Sequence, residues 1–97
     1  MKIKIPDVIT IGGYLFQTRY VDKIPFPKYK DCDGYVDFPN GIIYLKKNPE
    51  ANQFQIFLHE IIHCIDRIYN ADELKSEEEV ERISQGLFQV GKSCEWF

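Results

Sequence analysis

The sequence predicts an α+β domain, with a small, mostly antiparallel N-terminal sheet followed by two helices. Three observations predict it. As far as Leu45, apolar residues come in short β-branched and aromatic runs broken by Gly, Pro and Asn. From Gln53 onward they recur at three- and four-residue steps. With 97 residues the chain has room for one hydrophobic core, so 1–97 is read as a single domain.

The elements follow in order. Residues 3–5 alternate apolar and charged side chains and are expected to form a short strand. Gly12-Gly13 signals a turn, and the aromatic, β-branched segment Tyr14–Val21 suits a strand. Ile24-Pro25-Phe26-Pro27 interrupts regular structure, because proline cannot donate to a ladder. Asp31-Cys32-Asp33-Gly34 reads as loop. Residues 35–38 and 42–45 are expected to form a hairpin around Pro39-Asn40-Gly41, since Asn and Gly both tolerate positive φ. Residues 46–51 are a polar connector. Phe54, Phe57, Leu58, Ile61, Ile62, Ile65 and Ile68 then mark one face of a helix that ends near Asn70. Ser76 and Glu79 have capping-box spacing and start a second helix. Its expected buried face is Val80, Ile83, Leu87 and Val90, with Gly91 as the C-cap.

Composition narrows the function classes. The chain is 44% hydrophobic and 14% aromatic, enough to order a core. Twelve Lys and Arg against 15 Asp and Glu give a net charge of −3, and a nucleic-acid binder would carry a basic excess. No apolar run approaches the ~18–20 residues that span a bilayer. The charged start, Met1-Lys2-Ile3-Lys4, is unlike a signal peptide. A cytoplasmic location without membrane or nucleic-acid partners is therefore expected. Three cysteines, none closely spaced, make a poor disulfide framework, and Cys64 reads as a buried free thiol.

The chemistry sits in His59-Glu60-Ile61-Ile62-His63. Residues four apart share a helix face, so His59 and His63 can offer two imidazoles to one ion. Zinc accepts such nitrogens at ~2.0–2.1 Å. Glu60, one step around, can take a proton from a zinc-activated water. A catalytic zinc site needs a third protein ligand, and the sequence has no other histidine. Donors are available at the start of the second helix. At ~100° per residue, Glu77 lies nearest the buried edge, on the side shared with Ser84. Glu81, one turn on, is the alternative ligand or a partner to a ligand histidine. Glu78 points away.

Other residues have plainer readings. Asp66 is a surface charge, with orientation of an imidazole as the alternative. Asp31-Cys32-Asp33 is turn chemistry. Tyr35 and Tyr44 pack in the hairpin, with donation to an oxyanion as the alternative.

The HExxH helix, the hairpin before it (Gly34-Tyr35-Val36-Asp37-Phe38-Pro39-Asn40-Gly41-Ile42-Ile43-Tyr44-Leu45) and the acidic helix after it (Ser76-Glu77-Glu78-Glu79-Val80-Glu81-Arg82-Ile83-Ser84-Gln85-Gly86-Leu87-Phe88-Gln89-Val90) resemble the small zincin-like metallopeptidases of phages and mobile elements. Those are similar to the ImmA/IrrE-like peptidases, some of which cleave repressor proteins. The resemblance covers roughly the last two-thirds of the chain. It implies a minimal gluzincin in which His59, His63 and Glu77 hold Zn2+ and Glu60 is the general base. It also implies that residues 42–45 form the strand beside the cleft, where an extended peptide could add. In the register of the repressor-cleaving relatives, Glu81 takes the ligand position.

The expected function is thus a zinc metallopeptidase, probed by Glu60→Gln, acting on a flexible segment of a protein or peptide substrate. Two alternatives belong to other classes. One is a regulatory module that keeps zinc for stability. The other is a phage-type inhibitor that binds a protein through an aromatic surface including Trp96 and Phe97.

Overall fold

The computed structural model describes residues 4–47 and 53–97. Four strands come first, β1 (Val8–Ile11), β2 (Tyr14–Val21), β3 (Gly34–Asp37) and β4 (Ile42–Lys46), and two helices follow, α1 (Gln53–Tyr69) and α2 (Glu77–Ser93). The α+β layout is as the sequence predicts. Among the described residues no helix is long and apolar enough to cross a membrane.

The first strand lies later than expected. Lys4 and Ile5 are outside any strand, and Ile3 lies outside the described residues. Instead Ile11 pairs with Tyr14 across Gly12 and Gly13, whose φ angles are 58° and 84°. A two-residue turn with both residues at positive φ matches strand twist. It folds the β-branched Val8-Ile9-Thr10-Ile11 directly back onto β2.

Strand order is β1-β2-β4-β3, with β1–β2 and β3–β4 antiparallel and β2–β4 parallel. This corrects the expectation that residues 42–45 lie at the open edge. Ile43 and Leu45 are fully buried, and a strand that apolar is stable only with neighbours on both sides. The edge falls to the short β3, which carries Gly34 and Asp37. The loop between them is also wider than an Asn-Gly turn. Asp37 pairs with Ile42, its carboxylate accepts from Asn40 Nδ2 at 2.9 Å, and Gly41 takes φ 63° while Asn40 does not go positive.

The core lies between the sheet and α1. Phe16, Val36, Ile43 and Leu45 meet Phe57, Ile61 and Cys64. Cys64 is fully buried, whereas Ile65, expected on the same face, is 38% exposed. The buried line steps 57, 61, 64, 68, which a 3.6-residue period keeps on one side.

Ser76 caps α2 by accepting from the Glu79 amide at 3.2 Å. The Glu79 carboxylate reaches back to the amide of Lys75, one residue earlier than the usual capping box. Ile83 and Val90 are largely exposed, and the buried stripe runs through Val80, Ser84 and Gly91. Gly91 is not the C-cap. It lies inside the helix, where a Cβ would strike the Phe97 ring, and the helix ends at Cys94 with Glu95 at φ 59°. Phe97 packs on Phe54 and Phe88, which withdraws it from any exposed aromatic surface and leaves Trp96 outside.

Candidate metal centre

Two adjacent turns of α1 project His59 and His63 toward the first turns of α2. Their ring centroids are 4.9 Å apart, and their Nε2 atoms are 3.2 Å apart. Glu77, at the first position of α2, bridges them. Its Oε2 lies 2.9 Å from His59 Nε2, and its Oε1 lies 2.9 Å from His63 Nε2. One ligand atom from each of the three residues falls within 4.8 Å of the others.

Glu81 stands behind this group. The Nδ1–H of His59 donates to Glu81 Oε2 at 2.8 Å, and Gln85 Nε2 donates to the other carboxylate oxygen at 3.3 Å. A proton fixed on Nδ1 turns the Nε2 lone pair toward Glu77 and His63. The alternatives left open for the third ligand therefore separate in space: Glu77 bridges both imidazoles, and Glu81 orients one. Glu78 faces solvent near Arg82.

The donor set fits a divalent ion. Three lone-pair-bearing groups converge, and either an ion or protons shared between them can hold these separations. Two imidazoles on one tetrahedral zinc have nitrogens about 3.3 Å apart, close to the 3.2 Å observed. Without an ion, protons serve. Burial opposes charge on His59, but the bonds to Glu77 and Glu81 and the nearby carboxylates outweigh it and raise its pKa. At His63 burial prevails, and the pKa is lowered. Glu60, Glu77 and Glu81 bring three carboxylates to two imidazoles, so a 2+ ion reduces the charge imbalance.

Glu60 points to the sheet side of the same turn. Only 6% exposed, it lines the cavities on either side of the imidazoles. Burial pushes its carboxyl up to about 7, with Glu77 and Glu81 adding to the rise and His59 opposing it. Gly34 makes this position possible. A Cβ at Gly34 would lie 2.8 Å from Glu60 Oε2 and 2.9 Å from Ile56 Cγ2. The start of β3 thus rests directly on the carboxylate, a role that reading Gly34 as loop did not reveal.

The remaining candidates divide. Asp66 is buried and accepts from Asn70 Nδ2 at 2.9 Å and the Leu74 amide at 3.1 Å, so it anchors the turn between the helices and is neither a surface charge nor held to an imidazole. Tyr44 is buried against Phe26, as the packing reading has it. Tyr35 stacks on Tyr29 and also lines a cavity with Glu60, His63 and Glu77. Cys32 borders that cavity and a second one, which brings the Asp31-Cys32-Asp33 loop to the site. Adjacency to Gly34, which must approach Glu60, was the only sequence signal for it. Cys64 is a free thiol, and burial pushes its pKa up to about 12.

Comparison of the chain with known protein families, curated proteins and solved structures finds no match.

Proposed function

We propose that the chain is a zinc-dependent metallopeptidase acting on a protein or peptide substrate. The observation that carries this reading is the pairing of a three-ligand cluster with a buried carboxylate one residue from a ligand. His59, His63 and Glu77 would hold the ion, and Glu81 would keep His59 in the ligating tautomer. A zinc ion there supplies Lewis-acid activation of a water. Glu60 would accept a proton as the water oxygen bonds to the peptide carbonyl carbon, and would pass that proton to the amine nitrogen as the C–N bond breaks.

The open edge of β3 supports the peptide part of the reading. Lys46 donates to the Asp33 carbonyl at 2.8 Å, so hydrogen-bonded pairs alternate from Asp33. Gly34 and Val36 then turn their amides and carbonyls outward, beside Glu60, where an extended segment can add. A zinc site kept only for stability has no use for a buried base, so Glu60 weighs against the regulatory-module alternative.

The test begins with metal content. One zinc per chain is expected in the wild type and none in His63→Ala or Glu77→Ala. Zinc-loaded wild type should then cut an unfolded protein such as casein, while Glu60→Gln keeps its zinc and fold and cuts nothing. Metal-free wild type with chelator-insensitive melting would remove the reading altogether. Zinc binding with no Glu60-dependent hydrolysis would leave the regulatory module.

A further inference from the structure

Two cavities flank the candidate centre, and their walls differ in kind. The first, of about 420 Å³, runs from the centre past His59 and is walled by Asp31, Asp33 and Glu81. The second, of about 340 Å³, runs past His63 and is walled by Tyr29, Tyr35, Val36 and Phe38. Both have Gly34, Glu60 and Glu77 at their root. Thus the poorly exposed Glu60 carboxylate aims into the junction, with one cavity on each side. Among the described residues no Lys or Arg lines either one.

We propose that the cleft selects segments carrying a basic side chain on one side of the cut bond and a large apolar or aromatic side chain on the other. The inference rests on the metallopeptidase reading and specifies its substrate. On the acidic side, Asp31 and Asp33 add two carboxylates to those of Glu60, Glu77 and Glu81. A divalent ion offsets only part of this charge, so an acidic side chain is repelled and a lysine or arginine is drawn in. On the other side, Tyr29 stacks on Tyr35 with centroids 4.5 Å apart, and Tyr35 leans on Phe26 at 5.1 Å. That wall is rigid before anything binds, so little ordering entropy is lost when an apolar ring covers it. The two cavities meet at Gly34 on the open edge of β3. A strand added there sends side chains into both.

Eight labelled synthetic peptides test this, with the central pair apolar–basic, apolar–acidic, alanine–basic or alanine–acidic, each in both orders. Two readouts are taken: cleavage by zinc-loaded wild type, mapped by mass spectrometry, and binding to zinc-loaded Glu60→Gln by fluorescence anisotropy. The apolar–basic peptide should be favoured over the apolar–acidic one by about tenfold or more, with the margin shrinking as salt rises. The double change Asp31→Asn, Asp33→Asn, on an exposed loop, should erase the basic-over-acidic preference and leave the apolar one. Tyr35→Ala should do the reverse. Cleavage without ranking overturns the inference and leaves the peptidase reading. Ranked binding without cleavage supports the inference as a recognition cleft and overturns the peptidase reading. Absence of binding by all eight peptides overturns the inference.

Discussion

The two helices are both 17 residues long, yet they are held very differently. Helix α1 buries seven residues and packs on β1, β3, β4 and α2. Helix α2 buries three, two of them Ser84 and Gly91, and its one extensive contact is with α1. Small residues bring the helices close but bury little apolar area, so α2 contributes little hydrophobic stabilisation. The candidate centre draws its imidazoles and Glu60 from the well-anchored helix, and Glu77 and Glu81 from the weakly anchored one. An ion held between them would act as the missing part of the α1–α2 interface.

The largest expected effect exploits this contrast. Stripping zinc with a chelator should leave α1 amides slow in hydrogen exchange and make α2 amides fast, with a clear drop in Tm. Equal change in both helices would contradict the difference in anchoring. The next effect is confined to α1. Glu60→Gln should lower hydrolysis by roughly 10²–10⁴-fold with zinc retained. It should also alter stability with a definite sign. Glu60 has its pKa raised from 4.5 to about 7, so the folded state holds a proton that the unfolded state has lost over that interval. Stability of the metal-free wild type therefore falls as pH rises through this window, and the full penalty is present above it. Metal-free Glu60→Gln should gain about 1–3 kcal/mol over wild type at pH 8 relative to pH 4, read from urea melts.

A smaller effect sharpens the division of labour within α2. Glu81→Gln removes the charge behind His59 but leaves Glu77 in place, and zinc affinity should weaken about 10–100-fold without being abolished. Loss equal to that of Glu77→Ala would make Glu81 a ligand. The smallest effect compares cores. Ile61→Ala should cost about 2–5 kcal/mol in denaturant melts. Ile83→Ala, on the exposed side of α2, should stay within about 0.5 kcal/mol.

Much of this was legible because it is local. The three- and four-residue steps from Phe54 to Ile68 give α1, and Ser76 with Glu79 marks the start of α2 within one residue. The angular count that singled out Glu77 depends only on helix geometry. What escaped depends on contacts distant in sequence. The parallel pairing of β2 with β4 moved the edge to β3, and no periodicity within 42–45 reports on that. Gly91 looked like a cap until the Phe97 ring supplied another reason for glycine. The Asp31-Cys32-Asp33 loop looked like turn chemistry until β3 carried it to Glu60. Strand β1 is different. Its β-branched run beside Gly12-Gly13 was a local signal, and the alternation at 3–5 was the weaker one.

The contact between Gly34 and Glu60 has a kinetic consequence. The residues that gather around the imidazoles, His59 to Glu81, span one continuous stretch of two helices and a short turn, and such contacts close quickly. The environment of Glu60 depends instead on a glycine 26 positions earlier (60 − 34 = 26), on a strand held in the sheet through β4. Sheet contacts form more slowly than contacts within and between adjacent helices. Gathering of His59, His63 and Glu77 and burial of Glu60 are therefore separable events on the folding route. A chain in which only the helical half has formed has its ligands in reach while Glu60 is still exposed to water.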